Sequence, residues 1–566
     1  MESQRSPGKR SNAGSGLDLV LLVFLFFASL GVRWLYARAV VFPPLDAPAF
    51  YLTTAENVVT GRGLEVDALW SYQVPFPAVT HPSHEGRMPV TTAVIASAFA
   101  INRALSGAFD PALEIGQIPG LILGALLAPL TYLFGRRALP RGRSNRWISL
   151  GAALLIAVNA TLAYQSATAD STAPFALLAA GALAVAVRKP GERGGYLGAG
   201  LLIALAYLTR VDGLLLLLAI PLAWWLLPAP ARRTVEIPDA PAARLAWEQW
   251  PRERGTVEDQ PRAMGPGLRH LVDLCVAFAL LVTPWLIRNY LTFGTPLPSS
   301  ILDQAWLTDY IDNFYFLSQP TFETWLTQTW SMLLDQRIQA LAHGGQVLLW
   351  GTFPWGVLAL PGLWLLRREL SLFPSLVYGL LLFFGVALVF PISALSGAFY
   401  HSFGAVMPFL AIAAAYSIYR GCQVLGRRPK LAATVWASIT VVLLLLTGWQ
   451  VVQTLPTVNE RHLAEKEQFE AAAGWLSQNA PPGAVVMTDA TYSLNYASGH
   501  PCIALPGNEP PDSAWQAAQR YGARYLIVTQ DFGLYPEILT AQPDPRFRLV
   551  AETHGSQIYA IGGGQP

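Results

Sequence analysis

Eleven stretches of this 566-residue sequence are apolar enough to form membrane-crossing helices, and they limit the fold more than any other feature. Roughly 20 apolar residues cross the hydrocarbon core of a bilayer as a helix. Only 13% of the residues are charged, against about a quarter in soluble domains. The sequence therefore predicts a polytopic α-helical membrane protein. The predicted spans are residues 17–41, 115–135, 148–163, 173–187, 196–208, 214–227, 271–287, 347–366, 372–392, 405–419 and 431–449.

Basic residues divide the loops between these spans into two sets. The N-terminal tail and one set of alternate loops hold 24 of the 38 Lys and Arg residues, whereas the other set holds six. By the positive-inside rule the N-terminus is cytoplasmic, and eleven crossings leave the C-terminus outside the plasma membrane. This division requires the apolar stretch 89–105 to lie in the membrane interface without crossing. No small-residue cleavage site follows the basic tail, so we expect a retained first helix.

Composition changes near residue 456, beyond which the sequence is typical of a soluble domain. Alternating strand and helix signals predict a small α/β domain outside the membrane. Its strands are expected at 484–487, 524–528 and 547–551, and its helices at 467–476 and 513–521. The predicted organisation is a cytoplasmic tail (1–16), a transmembrane domain (17–455) and the α/β domain (456–566). The transmembrane domain includes a first outer loop with interfacial helices (42–113), a disordered cytoplasmic loop (229–270) and a later outer loop (288–346).

Acidic residues near the membrane are few, and Asp46 and Asp170 both fall on the predicted outer side. Asp46 follows the first span and precedes Ala47 and Pro48, a pattern in which its carboxylate can cap a short helix. Asp170, Ser171 or Thr172 can cap the fourth span in the same way, with Pro174 in its first turn. The alternative is chemistry beside a lipid-borne substrate, with Asp46 as a general base. The sequence leaves both interpretations open, although two acids at outer helix ends favour a shared cleft.

Basic residues on the predicted outer side are scarce, and a lipid-linked phosphate requires cations at that depth. Arginine suits phosphate because its guanidinium donates two parallel hydrogen bonds. Arg87, Arg210 and Arg288 are therefore candidate substrate-binding residues, with snorkelling to lipid headgroups as the alternative. His401, in the segment GAFYHSFG (397–404) at an outer helix end, is a further polar candidate.

The sequence gives little support for a metal or another cofactor. His81, His84 and Glu85 lie close together without a further placed ligand, so hydration of a loop explains them better than a metal. A divalent metal is left open, but no ligand cluster supports one. The three cysteines are too scattered for a disulfide framework or a zinc site. The net charge of +2 gives no argument for a nucleic-acid partner, and we expect none.

Several short motifs, taken in order, resemble those of the GT-C superfamily of polyprenyl-phosphate-dependent glycosyltransferases over nearly the whole chain. The resemblance is strongest to the branch of protein O-mannosyltransferases and lipid A aminoarabinose transferases. The motifs are Asp46 with the following FYLTTAEN and GRG, GRMPV at 86–90, TADSTAP before the fourth span, LTRVDG, PWLIRNY followed by GTP, and WLSQNAPPGAV in the last domain.

The resemblance implies that Asp46 is the catalytic base, that Asp170 is a supporting acid and that Tyr51 binds substrate. The implied reaction transfers a hexose or pentose, with inversion, from a polyprenyl-phosphate donor to a hydroxyl on a lipid, glycan or protein of the cell envelope. Ala47 follows Asp46 where many relatives carry a second acid, which argues against a metal-binding pair there. The sequence Pro-Val-Thr at 89–91 also departs from the Pro-Pro-Leu of many relatives.

Two other classes of function compete with a transferase. A transporter or flippase for lipid or polysaccharide would have discontinuous helices in two matching halves, and only the short spans 196–208 and 214–227 point to it. A scaffold whose last domain binds a partner is the second alternative. The presence of both Asp46 and Asp170 argues against a scaffold.

Overall fold

The computed structural model describes residues 13–45, 47–83, 86–140, 143–186, 194–226, 268–297, 303–367, 372–425, 429–507, 509–529 and 544–562. Asp46, His84, Glu85 and nearly all of the loop 229–270 lie outside these residues. The described part is mainly helical. Its first helices are α1 (Ala13–Ala39), α2 (Ala47–Val59), α3 (Pro89–Ser106), α4 (Leu113–Ala125), α5 (Leu127–Ala138), α6 (Arg143–Ala157), α7 (Ala160–Ala167), α8 (Thr172–Ala186), α9 (Gly194–Tyr207), α10 (Leu214–Leu226) and α11 (Leu268–Phe293).

The later helices are α12 (Phe322–Leu326), α13 (Trp330–Gly351), α14 (Ala359–Leu366), α15 (Phe373–Val389), α16 (Pro391–Leu395), α17 (Ala398–Ser402), α18 (Met407–Leu425), α19 (Pro429–Asn479), α20 (Thr491–Ser498) and α21 (Pro511–Tyr521). The strands are β1 (Glu65–Val66), β2 (Ala68–Leu69), β3 (His81–Pro82), β4 (Val485–Thr488), β5 (Cys502–Ala504), β6 (Ala523–Thr529), β7 (Phe547–Thr553) and β8 (Ser556–Ile561).

Apolar helices fall on each of the predicted spans. In the part of the chain that the structure describes, four helices are long and apolar enough to cross a membrane alone: Gly16–Ala39, Leu113–Ala138, Leu268–Phe293 and Lys430–Asn479. Three bent pairs reach that length together: Ser144–Ala157 with Ala160–Ala167, Trp330–Gly351 with Gly356–Leu366, and Ala398–Ala405 with Met407–Val424. Four shorter apolar helices are Thr172–Ala186, Gly195–Tyr207, Val211–Leu226 and Phe373–Val389.

The bends mark the places where the helices differ from the predicted spans. Helices α6 and α7 meet at 51°, and the side chain of Asn159 caps α7 by accepting a first-turn N–H. The predicted span 347–366 is wrong at its start, because the helix begins at Trp330 and ends at Gly351 before a turn of 102°. Pro354 in that turn has no backbone N–H with which to continue a helix. A hydropathy window averages over such a turn and therefore cannot find it.

The first loop (residues 42–113) is a folded layer rather than an extended connection. Helix α2 is buried along most of its length, and the side chains of Phe50 and Tyr51 are 0% and 4% exposed. Strand β1 pairs antiparallel with β3. Helix α3 covers the predicted interfacial stretch 89–105, and it is not one of the described helices that are long and apolar enough to cross.

One helix of 51 residues, α19, connects the membrane helices to the C-terminal residues. The predicted span 431–449 and the predicted helix 467–476 are parts of this one helix. Pro456 lies inside α19 without ending it, at the position where composition predicts a domain boundary. At 1.5 Å per residue the helix is about 75 Å long, so no flexible linker separates the two parts of the chain.

Among the described residues, a six-stranded sheet forms the C-terminal domain, with strand order β2-β5-β4-β6-β8-β7. Strand β4 is parallel to β5 and β6, with α20 and α21 as the connecting helices, whereas β8 is antiparallel to β6 and β7. The predicted strands correspond to β4, β6 and β7, and β5 and β8 are additional. Strand β2 belongs to the first loop and pairs parallel with β5 at the edge of the sheet.

An apolar cluster joins the first loop, α19 and the C-terminal domain. The ring of Phe42 stacks on Phe469 of α19 with centroids 5.4 Å apart, and Phe50 of α2 meets Tyr492 of α20 edge to face at 5.2 Å. A larger cluster lies among the membrane helices. The C-terminal domain is therefore packed directly on the loop that follows the first span.

Candidate functional site

A tight turn between α7 and α8 carries Asp170. Ala169 in this turn has a φ of 52°, a left-handed conformation that residues other than glycine seldom adopt. The carboxylate of Asp170 is buried and accepts hydrogen bonds from the N–H and the hydroxyl of Ser171, at 2.6 and 3.1 Å. A cap would instead accept from the second or third N–H of α8. The interpretation of Asp170 as a helix cap therefore does not match its geometry.

His401, on α17, is the second neighbour of Asp170. Its Nδ1 lies 3.2 Å from Oδ2 of Asp170. Burial favours the neutral carboxylic acid, but His401, Arg210 and the N–H of Ser171 outweigh it and hold the pKa of Asp170 well below its usual range. Asp170 is therefore an anion at neutral pH, within ion-pair distance of the imidazole. A carboxylate of such low basicity is a poor proton acceptor.

Arg210 lies in the turn between α9 and α10, next to the same group of residues. Its Nε and Nη2 donate to Oδ2 of Asp212 at 3.0 and 2.9 Å, and its Nη1 donates to the Ser171 hydroxyl at 3.2 Å. The Ser402 hydroxyl accepts from Nε at 3.3 Å and donates to Asp212. Burial disfavours the charged guanidinium, yet Asp212 and Asp170 raise the pKa of Arg210. Ser171 thus links this cation to Asp170.

A cavity of about 380 Å³, called the first cavity below, is lined by Asp170 and His401. Leu45 and Ala47 also line it. They are the chain neighbours of Asp46, which itself lies outside the described residues. Further polar walls come from Tyr164, Gln165, Asn313 and Tyr400. The first cavity thus combines a carboxylate and an imidazole with several neutral hydrogen-bonding groups.

A second cavity of about 570 Å³ adjoins the first. At its polar end lie Tyr51, Arg210 and Asp212. Its remaining wall is largely apolar and includes Leu214, Leu215, Val386, Val389 and Phe390. The residues that line both cavities are Trp70, Arg87, Gln304, Ser393 and Ala398. The two cavities therefore share a boundary that includes Arg87.

Tyr51 is buried on α2, close to the charged groups of both cavities. Burial and the carboxylate of Asp170 raise the pKa of Tyr51, while Arg87 and Arg210 act in the opposite direction. Its phenol is therefore a neutral hydrogen-bonding group at physiological pH. The structure brings five of the sequence-predicted site residues to the two cavities: Tyr51, Arg87, Asp170, Arg210 and His401.

Among the predicted site residues that the structure describes, Arg288 lines neither of these cavities. Both of its Nη atoms donate to the carbonyl of Ser83 at 3.2 Å. Its guanidinium also lies over the rings of Trp285 and Phe293, at 4.8 and 5.0 Å. These contacts connect α11 to the first loop.

Possible metal ligands are few in the described ranges. No group of three or more His, Cys, Asp or Glu side chains within them is placed to hold a metal ion. His81 stacks on Phe76, with ring centroids 3.9 Å apart, and its Nδ1 lies 2.6 Å from the carbonyl of Val79. Cys275, Cys422 and Cys502 are unpaired.

Several residues of the site were not predicted from the sequence, because they are uncharged and distant along the chain. Gln304 donates to Oδ1 of Asn313 at 2.6 Å, and both line the first cavity from the loop that follows α11. Glu509 of the C-terminal domain holds this loop by accepting the N–H groups of Phe316, Leu317 and Ser318, at 2.7 to 2.9 Å. Sequence reasoning could not place this loop beside the first cavity, because the residues that hold it there are distant along the chain.

Comparison with known proteins identifies solved structures that share this fold. No protein-family profile matches the chain, and no curated protein is significantly similar to it in sequence. Among solved structures it is similar to ArnT from Cupriavidus metallidurans in the apo state, at 12% identity and a TM-score of 0.51, covering 98% of this chain and 100% of that one. The same protein bound to undecaprenyl phosphate gives 13% identity, the same coverage and a TM-score of 0.52.

A second similar structure is the archaeal oligosaccharyltransferase AglB from Archaeoglobus fulgidus, in complex with an inhibitory peptide and a dolichol-phosphate. The identity is 13%, the TM-score is 0.54, and the match covers 92% of this chain and 70% of that one. At such low identity the similarity shows a shared fold.

Proposed function

We propose that this chain, an integral membrane protein with the fold of the GT-C glycosyltransferases, transfers a sugar from a polyprenyl-phosphate donor to an acceptor hydroxyl. The observation that carries the proposal is the meeting of two cavities at Arg87. One has a carboxylate and an imidazole, and the other has cations at the head of an apolar wall. A transfer reaction needs two such sites that share one reacting position.

The second cavity suits a lipid-linked phosphate. Leu214, Leu215, Val389 and Phe390 supply an apolar surface, and Arg210 supplies a positive charge at its end. An arginine beside a phosphate stabilises the negative charge that develops as the phosphate leaves. The ArnT structure contains undecaprenyl phosphate and the AglB structure contains a dolichol-phosphate, which supports a donor of the same class here.

The first cavity suits the acceptor and the proton transfer. In the proposed step the acceptor oxygen bonds to the anomeric carbon of the sugar, while the bond from that carbon to the phosphate oxygen breaks and its electrons leave with the phosphate. Asp46 takes the acceptor proton, and its chain neighbours Leu45 and Ala47 line this cavity. Asp170 orients His401 and does not take the proton, because its pKa is low. A single displacement of this kind inverts the anomeric configuration.

The proposed topology places the site at the outer face of the plasma membrane. Eleven spans are proposed, of which four described helices are long and apolar enough to cross alone, or seven if each bent pair is one span; the four shorter apolar helices are proposed to complete the number. With the N-terminus in the cytoplasm, an odd number of spans places the first loop and the C-terminal domain outside. The acceptor is then a lipid, glycan or protein of the cell envelope.

The test is sugar transfer by the purified full-length protein in proteoliposomes, with synthetic polyprenyl-phosphate hexoses and pentoses as donors. Extracted envelope lipids and proteins serve as acceptors, and nucleotide sugars serve as the control donors. We expect labelled product and free polyprenyl phosphate in equal amounts, inverted configuration, and no transfer from nucleotide sugars. Movement of intact donor lipid across the bilayer without any transfer would instead favour the transporter.

A further inference from the structure

Helix α20 brings a residue of the C-terminal domain to the second cavity. Tyr492, near its start, is 4% exposed and lines that cavity together with Arg87. Its ring meets the fully buried Phe50 of α2 edge to face, with centroids 5.2 Å apart. The side chain is therefore fixed against the first loop, although more than 400 residues separate the two along the chain.

The guanidinium of Arg87 lies among three aromatic rings that come from separate parts of the chain. Its central carbon is 5.3 Å from the ring centroid of Phe50, 5.7 Å from that of Trp70 and 5.3 Å from that of Tyr492. All three distances are within the range of attraction between a cation and the face of a ring. Arg87 and Trp70 line both cavities, so this aromatic cage stands where the two meet.

A cage of this kind fixes the direction of the cation as well as its position. Ordering an arginine side chain costs up to about 2 kcal/mol of free energy, because its conformational entropy is lost. Rings that hold it before the ligand arrives remove that cost from binding, which is the general basis of preorganisation. Aromatic faces also leave the edge N–H groups of a guanidinium, which bind phosphate oxygens, pointing away from the rings.

We propose that Tyr492 is a positioning residue that aims Arg87 at the phosphate of the donor lipid, which makes the C-terminal domain a structural part of the donor site. This inference rests on the proposed function for the identity of the anion. It assigns to the C-terminal domain a role in donor binding that operates through the face of one aromatic ring. Release of this domain from the first loop would then weaken donor binding even with every charged residue in place.

The experiment measures binding of two lipids to the full-length protein in nanodiscs: a polyprenyl monophosphate without sugar, and the corresponding polyprenol. Tyr492→Leu removes the ring, Tyr492→Phe keeps it, and Tyr496→Leu makes the matched change on the same helix, where the ring of Tyr496 packs on Phe42 instead. We expect Tyr492→Leu to weaken phosphate-lipid binding between about 2- and 30-fold, the range for loss of one cation–π contact. Tyr492→Phe and Tyr496→Leu should bind as the unmodified protein does, and polyprenol binding should not change.

Equal losses in Tyr492→Phe and Tyr492→Leu would assign the effect to the hydroxyl and overturn the proposal, and so would equal loss of phosphate lipid and polyprenol. In the Arg87→Ala background, Tyr492→Leu should have no further effect, because residues that act through one group are not additive. An additional full-size loss there would also contradict the proposal. This binding assay does not depend on sugar transfer. A protein that binds the phosphate lipid as described but transfers no sugar would therefore disprove the proposed function and leave the role of Tyr492 standing.

Discussion

Asp170 and Asp46 differ in the chemistry that each can perform in the proposed reaction. Asp170 is held as an anion by His401, Arg210 and the N–H of Ser171, so it binds a proton weakly. The acceptor proton therefore needs another base. Asp46 is the candidate because Leu45 and Ala47, on either side of it, line the first cavity. The choice between cap and catalyst at Asp46 can be made by substitution.

Asp46→Asn separates the two roles. Asparagine caps a helix about as well as aspartate, whereas alanine costs on the order of 1 kcal/mol of stability. Asparagine cannot accept the proton, and a general base contributes about 10²- to 10⁴-fold in rate. We therefore expect Asp46→Asn to insert normally and bind donor lipid, but to lose turnover by at least about 100-fold. Unchanged turnover in this variant would reduce Asp46 to a cap. Asp170→Asn should lower turnover less.

Arg210 and Arg288 form a matched pair for a second test. Arg210 lines the second cavity, whereas Arg288 is bound to the Ser83 carbonyl and lines neither cavity. Arg210→Ala should raise the KM for donor by about 10-fold or more, because it removes a hydrogen bond to a charged group. Arg288→Ala should reduce thermal stability and leave the KM for donor nearly unchanged. The measurement is initial transfer rate against donor concentration. Equal increases in KM would bring Arg288 into donor binding.

Among the secondary-structure elements, β4 and β6 meet at an unusual carboxyl group. Asp489 follows β4, and both of its oxygens accept the N–H of Thr529, at the end of β6, at 3.1 Å. Burial raises the pKa of Asp489 to about 7, against the opposing effect of the Thr529 hydrogen bonds. Asp489 is therefore partly protonated at neutral pH, outside the membrane helices.

This pKa predicts a pH dependence of stability. An unfolded aspartate has a pKa of about 3.9, so between about pH 4 and 7 the folded state holds a proton that the unfolded state has lost. The contribution of Asp489 to stability is thus fully present below about pH 4 and is lost as the pH rises through 7. Asp489→Asn resembles the neutral acid and should reduce the fall in thermal stability between pH 5 and pH 8. Glu552 is exposed, so the control Glu552→Gln should show the same fall in thermal stability as the unmodified protein. An unchanged pH profile in Asp489→Asn would contradict the raised pKa.

The sequence could predict the apolar helices because the required length and hydropathy are local properties. It could also select Asp170, Arg210 and Arg87 as candidates, all of which line the cavities, since a charge near a membrane stands out against an apolar background. It could not predict β2 and β5, which have two and three residues and pair across the chain. Tyr492 escaped prediction for a related reason. An uncharged residue gains its role only when the tertiary fold places it beside Arg87.

At the scale of the whole molecule, the membrane helices and the C-terminal domain form one body. Helix α19 runs without interruption from one to the other, and β2 of the first loop belongs to the C-terminal sheet. A third connection is the ring of Phe42, in the first loop, which stacks on Phe469 of α19.

Labelling with an impermeant maleimide tests the proposed topology. Cys502 is buried and cannot serve as a reporter, so the native cysteines are replaced and new ones introduced at exposed positions. Gln519→Cys, on α21, should react in intact spheroplasts, and Arg137→Cys, at the end of α5, should react only after permeabilisation. The expectation follows from the excess of basic residues in one set of loops. The reverse pattern would place the site on the cytoplasmic side.

The pairing of β2 with β5 has a consequence for biosynthesis. Leu69 finds its partner Ile503 only after some 430 further residues have been made, which takes roughly 20 to 90 s at ordinary rates of translation. Until then β2 lacks its partner strand and the ring of Phe50 lacks its contact with Tyr492. The first loop therefore completes its fold late in synthesis, and a chain that ends before β5 would have the membrane helices without the strand that pairs with β2.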